Sequence, residues 1–108
     1  MINFFYQQDG FADDIDEFKI KSWLRSVIFS EHKKEGEIQY VFCDDDYLLS
    51  INQSFLDHDT FTDIISFPSS KNKSIISGEI YISMDRVTEN SINLDIEFEE
   101  ELHRVIIH

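Results

Sequence analysis

The hydrophobic period of this chain switches repeatedly between two residues and three to four, in stretches of strand and helix length, and that order leaves few architectures open. Residues Ile2 to Gln7 are rich in aromatic and β-branched side chains and run into the turn pair Asp9-Gly10, so the chain opens with a strand. From Asp14 onward Ile15, Phe18, Ile20, Trp23, Leu24, Val27 and Ile28 recur mostly at three- and four-residue steps, which predicts a helix burying that face. Acids early in the segment and His32-Lys33-Lys34 beyond its end suit the helix dipole. Gly36 breaks the pattern, Glu37 to Cys43 reads as a second strand, and a helix carrying Tyr47, Leu48, Ile51, Asn52 and Phe55 follows. Asp63 to Phe67 reads as a strand stopped by Pro68, Ser69 to Ser74 as a polar loop, and Gly78 to Ser83 as a further strand. Two helices close the chain, Asp85 to about Leu94 and Phe98 to His108.

In the last helix Phe98, Leu102, Val105 and Ile106 share one face while Ile107 lies opposite, and a helix apolar on two sides belongs in the middle of a domain. The order strand, helix, strand, helix, strand, strand, helix, helix predicts an α+β fold: a mixed sheet of about four strands packed with helices, with the C-terminal helix central. One domain, residues 1–108, is expected, because a chain of 108 residues buries roughly two thirds of its unfolded surface around one core.

Ten Phe against three Gly and one Pro argue for a folded unit and against disorder. The single cysteine, Cys43, sits in the apolar run Tyr40-Val41-Phe42-Cys43 and reads as a small buried thiol. It has no partner for an internal disulfide, which favours a reducing compartment. No stretch is long and apolar enough to span a bilayer, and the N-terminus lacks a basic region leading into an apolar one. A cytoplasmic protein with no membrane partner is therefore expected. A formal charge of -13 is a poor match to a nonspecific nucleic-acid binder, which gains affinity by replacing counterions with Lys and Arg. Such a charge suits solubility or a basic protein partner instead.

Taken residue by residue, the candidates for chemistry are few: four histidines, a surplus of acids, and no Gly-rich phosphate loop, nucleophile elbow or Cys-x-x-Cys pair. His103 and His108 stand five apart on one helix, so their side chains project roughly 140° apart and share no metal without distortion. His103 is expected to pair with Glu99 or Glu100 one turn back. His58, flanked by Asp57 and Asp59, resembles an oriented base, yet polar loops carry the same composition. Asp44-Asp45-Asp46 reads as a helix cap or a cation site, and the free amides and dipole at a helix start favour the cap.

Three stretches in the second half carry a resemblance. Asn52-Gln53-Ser54-Phe55-Leu56-Asp57-His58-Asp59-Thr60-Phe61-Thr62-Asp63-Ile64-Ile65-Ser66-Phe67-Pro68 is similar to a segment of YbeY-type proteins that runs from an Asn-ended helix through Thr-Asp into a Val-Leu-Ser-Phe strand. Ser77-Gly78-Glu79-Ile80-Tyr81-Ile82-Ser83 is similar to their Leu-Gly-Asp-Ile-x-Ile-Ser strand. Glu99-Glu100-Glu101-Leu102-His103-Arg104-Val105-Ile106-Ile107-His108 resembles the helical approach to their signature His-Gly-x-Leu-His-Leu-x-Gly-Tyr. With order and spacing both matching, the chain resembles the YbeY-type family of zinc-dependent, single-strand-specific endoribonucleases of ribosomal-RNA maturation.

That resemblance implies a zincin-like metal hydrolase, zinc as cofactor, a ribosomal-RNA precursor as substrate, and ribosomal proteins or the small ribosomal subunit as partners. His108 would be the first metal ligand. In such a site two His four apart and a third from the next turn leave a position open for water, whose pKa the metal lowers toward neutrality. The strand beginning Gly78-Glu79 would border the substrate cleft, and Thr62, Asp63 and Ser66 would support its other wall. Leu56 stands where many relatives carry a phosphate-contacting arginine, Phe61 where a proline is common, and Glu79 replaces an aspartate with its charge kept. Supplying one of three expected ligands, the 108-residue chain is expected to be inactive as written and to belong to a longer active protein. A noncatalytic ribosome-associated assembly factor is the alternative expectation, and a zinc hydrolase of peptides or small molecules a third.

Overall fold

The computed structural model describes residues 1–57 and 60–107, with Ile107 described by its backbone alone. Strand β1 (Ile2–Tyr6) leads through a 3-10 turn at Phe11–Asp14 into α1 (Glu17–Ser30), and β2 (Lys34–Cys43), α2 (Asp45–Leu56), β3 (Ile64–Pro68), β4 (Ile75–Ser83), α3 (Met84–Leu94) and α4 (Phe98–Ile107) follow. Helix α1 begins later than its hydrophobic period suggests because Asp16 is its cap, accepting from the Lys19 amide at 3.1 Å. Phe18 also departs from that expectation: it is 84% exposed, and Ile20 and Leu24 carry the buried face. Strand β2 begins earlier, at Lys34, and runs through Gly36 with a slip of register against β4 between Glu35 and Ile38.

The strand order is β1-β2-β4-β3, with β1, β2 and β4 mutually parallel and β3 antiparallel against β4. This is the mixed sheet of an α+β fold. Side chains alternate between its faces, so Ile2, Ile38, Tyr40, Phe42 and Ile82 meet Ile20, Leu24, Val87, Leu102 and Val105 of α1, α3 and α4. On the opposite face Cys43 and Ile65 meet Leu48 and Ile51 of α2. Phe42 is fully buried at the centre of the larger core, stacked on Tyr6 at 5.5 Å and edge-on to Phe4 at 5.4 Å. Burial pushes the Cys43 thiol up to about 12, with Asp44, Asp45 and Asp85 adding to the effect, so the thiol stays protonated and inert.

Polar contacts fix the helix starts. Asp44 caps α2 through a 2.8 Å bond from the Tyr47 amide. Ser83 caps α3, accepting from the Arg86 amide at 3.2 Å while its hydroxyl donates to Asp45 at 2.8 Å. Arg86 Nε also reaches Asp45 at 3.1 Å, so the two helix starts are held as one unit. The acidic triplet thus acts through capping and cross-bracing.

Helix α4 lies between α1 and α3. Lys19 of α1 pairs with Glu99 at 2.5 Å, Trp23 stacks on His103 at 4.4 Å, and Asn90 of α3 hydrogen-bonds Glu101. His103 therefore does not pair with a neighbouring acid, since Glu99 is taken by Lys19. Its Nε2 is buried with no hydrogen-bond partner among the described residues. Glu101 is fully buried and is held by the Arg104 guanidinium, whose Nη2 lies 2.8 Å from its carboxylate. That bond lowers the Glu101 pKa below the usual carboxylate range.

A group whose folded pKa is depressed contributes stability above its unfolded pKa and loses it as pH falls through the folded value. Glu101→Gln should therefore lower the urea midpoint at pH 7 and narrow that gap at pH 3, where the native carboxylate is itself protonating. Urea titrations of both proteins at the two pH values check this, and a gap of equal size at both would contradict it. Among the described residues no helix is long and apolar enough to cross a membrane.

Candidate substrate groove

The β3–β4 hairpin carries Ser66, Gly78 and Glu79, with Thr62 and Asp63 just before it, and its register decides which of them meet. Ser66 pairs with Ile80 and Pro68 with Gly78, so Ser66, Gly78 and Ile80 share the sheet face that carries α1, α3 and α4. Glu79 pairs with Phe67 and faces the other way, where its carboxylate accepts from the Tyr81 hydroxyl at 3.3 Å. Gly78 is buried, with φ at +152°, and a Cβ there would come within 2.6 Å of the Phe67 carbonyl oxygen. The glycine is thus what lets β3 close against β4.

Two hollows meet at Ser66. One, of about 390 Å³, runs along the hairpin past Gly78 and the main chain of Glu79 to Asn72, Lys73 and Lys33, over Ile38, Ile76 and Ile80. The other, of about 360 Å³, lies between α2 and β3 and is walled by Asn52, Leu56, Thr60, Phe61 and Thr62. Buried Asn52 holds this wall in place, its side-chain amide donating to the Thr60 carbonyl at 2.7 Å. Ser66 thus links Thr62 on one side to Gly78 and Glu79 on the other. Asp63 lines neither hollow; its carbonyl accepts from the Ser83 amide at 2.9 Å and fixes the start of β3. Arg86 packs over the Phe61 ring at 4.9 Å.

A larger hollow, of about 580 Å³, lies elsewhere and is walled by Asp14, Glu97, Glu99 and Glu100 together with Phe98 and His103. Such a wall repels phosphate, so size alone does not select the site. His58, Asp59 and His108 lie outside the described residues. Among the described residues no three His, Cys, Asp or Glu side chains come together to hold a metal ion. Sequence reasoning missed Asn52, Lys33 and Lys73 as groove residues. The separation between Lys33 and Lys73 hides their meeting, although both stand in short runs rich in lysine.

Fold and groove define an α+β domain with a two-part hollow along an edge hairpin, and comparison with known proteins specifies it further. The model of the family described as endoribonuclease YbeY matches residues 5–108, and the chain belongs to that family. It is 53% identical over 108 residues to the endoribonuclease YbeY of Flavobacterium psychrophilum, covering all of this chain and 75% of the relative. The corresponding protein of Flavobacterium johnsoniae is 49% identical, with all of this chain and 76% of the relative covered. Among solved structures, the solution structure of a Thermotoga maritima protein superposes with a TM-score of 0.72 at 27% identity, covering all of this chain and 68% of that one.

Proposed function

We propose that this chain is the RNA-facing part of a zinc-dependent, single-strand-specific endoribonuclease that trims ribosomal-RNA precursors in the cytoplasm. Support comes first from family membership over residues 5–108, and then from the two hollows that share Ser66, one lined by Gly78 and the other by Thr62. Its apolar floor suits unpaired bases, whose faces pack on apolar side chains, whereas paired bases are already stacked within their own helix. Ser66 offers an exposed hydroxyl to a phosphodiester oxygen or a 2′-hydroxyl. Gly78 lets backbone approach closely, and Glu79 borders the groove through its main chain.

Zinc is proposed from the resemblance, with His108, which follows Ile107 in the sequence, as one ligand; bound there, it would supply Lewis-acid chemistry and an activated water. The described residues assemble no metal site of their own. The roles assigned here are accordingly those of binding and orientation. The acidic surface of the remaining molecule suits docking to basic ribosomal proteins or to the small ribosomal subunit.

One observation favours a second reading, a noncatalytic ribosome-associated assembly factor. Leu56 is 42% exposed on the rim of the Thr62 hollow, so that rim offers an alkyl group where a phosphate contact would need a cation. A cleavage assay decides. The intact protein, supplied with zinc, is incubated with a labelled ribosomal-RNA precursor fragment as a single strand and as a duplex. The endoribonuclease reading expects the single strand to be cut, the duplex spared, and His108→Ala to fall to background. No cleavage together with cosedimentation on ribosomal subunits would favour the assembly factor, and neither behaviour would sink both.

A further inference from the structure

The nine lysines and arginines of this acidic chain are not spread evenly. Five of them are neutralised: Lys19 pairs with Glu99, Lys21 with Glu17, Arg25 with Glu35, Arg86 with Asp45 and Arg104 with Glu101. The remaining four are Lys33, Lys34, Lys71 and Lys73, and among the described residues none of them has a carboxylate partner. All four stand either at the entry to β2 or in the β3–β4 loop, two segments that meet at one end of the sheet. Lys33 Nζ donates to the Lys73 carbonyl at 2.7 Å, and the Lys34 amide donates to the Ser74 carbonyl at 2.7 Å, which joins the start of β2 to the β3–β4 loop.

The loop is hydrogen-bonded within itself. Asn72 accepts from the Ser74 amide at 3.0 Å and the Ser74 hydroxyl at 2.6 Å, and its carbonyl accepts from the Ile75 amide at 3.1 Å. The nearby acids are largely engaged: Glu35 with Arg25 and the N-terminus, Glu37 with the N-terminus. Two acids are the exceptions: Glu31, beside Lys33 in an adjoining hollow, and Glu79, which borders the hollow of Lys33 and Lys73 and among the described residues bonds only the Tyr81 hydroxyl.

We infer that this lysine cluster is a docking surface for the phosphate backbone of single-stranded RNA, leading the strand into the groove at Ser66 and Gly78. The inference rests on the endoribonuclease reading and deepens it. Magnitudes decide whether a formal charge of -13 forbids it. At physiological salt the Debye length is about 8 Å, while the molecule measures 33 × 32 × 25 Å. Carboxylates on the far side are therefore screened, and a phosphate at the cluster experiences mainly the four lysines against Glu31 and Glu79. The same hollow that holds Lys33 and Lys73 continues over apolar floor to Ser66 and Gly78. Backbone charge and unpaired bases thus find matching surfaces in one continuous channel.

The test is a salt titration of binding to a fluorescein-labelled oligouridylate, read by anisotropy on the intact protein. The variant carries Lys33→Gln, Lys34→Gln, Lys71→Gln and Lys73→Gln together; a second replaces the same four by Arg, and a control replaces Lys19, Lys21 and Arg25 by Gln. The slope of log affinity against log salt should become shallower by about 0.7 for each lysine that meets a phosphate. Affinity at moderate salt should fall at least about tenfold in the Gln variant, return in the Arg variant, and hold in the control. Equal binding by wild type and the Gln variant would overturn the cluster while leaving the endoribonuclease reading to the cleavage assay. Loss of binding in both the Gln and Arg variants would also overturn it, because charge is then not what acts. So would cluster-dependent binding of polyglutamate without binding of RNA.

Discussion

Phe42→Ala should lower the stability of this protein by about 3–5 kcal/mol, the usual cost of removing a fully buried phenylalanine. Phe42 lies on a strand paired on both sides, has no exposed surface, and packs against the rings of Phe4 and Tyr6. Truncation leaves a void walled by β1 and β2, both held in register, so the site has little room to collapse. Against a typical domain stability of about 5–15 kcal/mol this is a large share, and a fall in melting temperature of roughly 15 °C or more follows. Phe18→Ala is the matched control: its ring is 84% exposed, and its loss should change stability by less than about 0.5 kcal/mol. Denaturant titration of the pair checks both values. Equal costs would mean that Phe18 belongs to the core after all.

Gly78→Ala should be the most damaging small substitution in the groove. A Cβ at this position, with φ at +152°, would lie 2.6 Å from the Phe67 carbonyl oxygen and 3.0 Å from Pro68 Cα. Both obstacles are backbone, so β3 must move as a strand. The disfavoured conformation and the forced shift together cost about 2–4 kcal/mol. Gly10→Ala separates the two causes, because Gly10 also has positive φ, +92°, but nothing lies within 4 Å of its added Cβ. It should cost about 1–2 kcal/mol, from conformation alone. Only Gly78→Ala should displace Ser66 and weaken RNA binding beyond its effect on stability. Equal losses in the two variants would remove the close approach of β3 from the explanation.

Much of this molecule is written in local pattern. Asp44 before an apolar helix, Pro68 after Phe67 and the period of β4 each act within a few residues, and each gives the element that forms. Phe18 is also local: at about 100° per residue it lies about 160° round the helix from Ile20, so its ring faces outward. Two features depend on the tertiary fold. His103 has two acids one turn back, yet Trp23, eighty positions earlier in the chain, supplies its stacking surface. The lysine cluster follows from β2 lying parallel to β4, which brings Lys34 beside the loop after β3. Formal net charge alone does not decide for or against nucleic acid, because it sums over the whole chain, whereas a phosphate senses a patch. The family was legible from Asn52 onward because its residues keep their order and spacing through α2, β3 and β4.

The most direct measurement of the central claim, that single-stranded RNA lies along the β3–β4 hairpin, is photo-cross-linking of a 4-thiouridine oligonucleotide to the intact protein, with adducts mapped by mass spectrometry. Adducts concentrated between Ser66 and Lys73, and competed away by unlabelled single strand but not by duplex, are the predicted result. Adducts confined to the carboxylate-walled hollow around Glu97 to His103, or to the exposed face of α2, would contradict it.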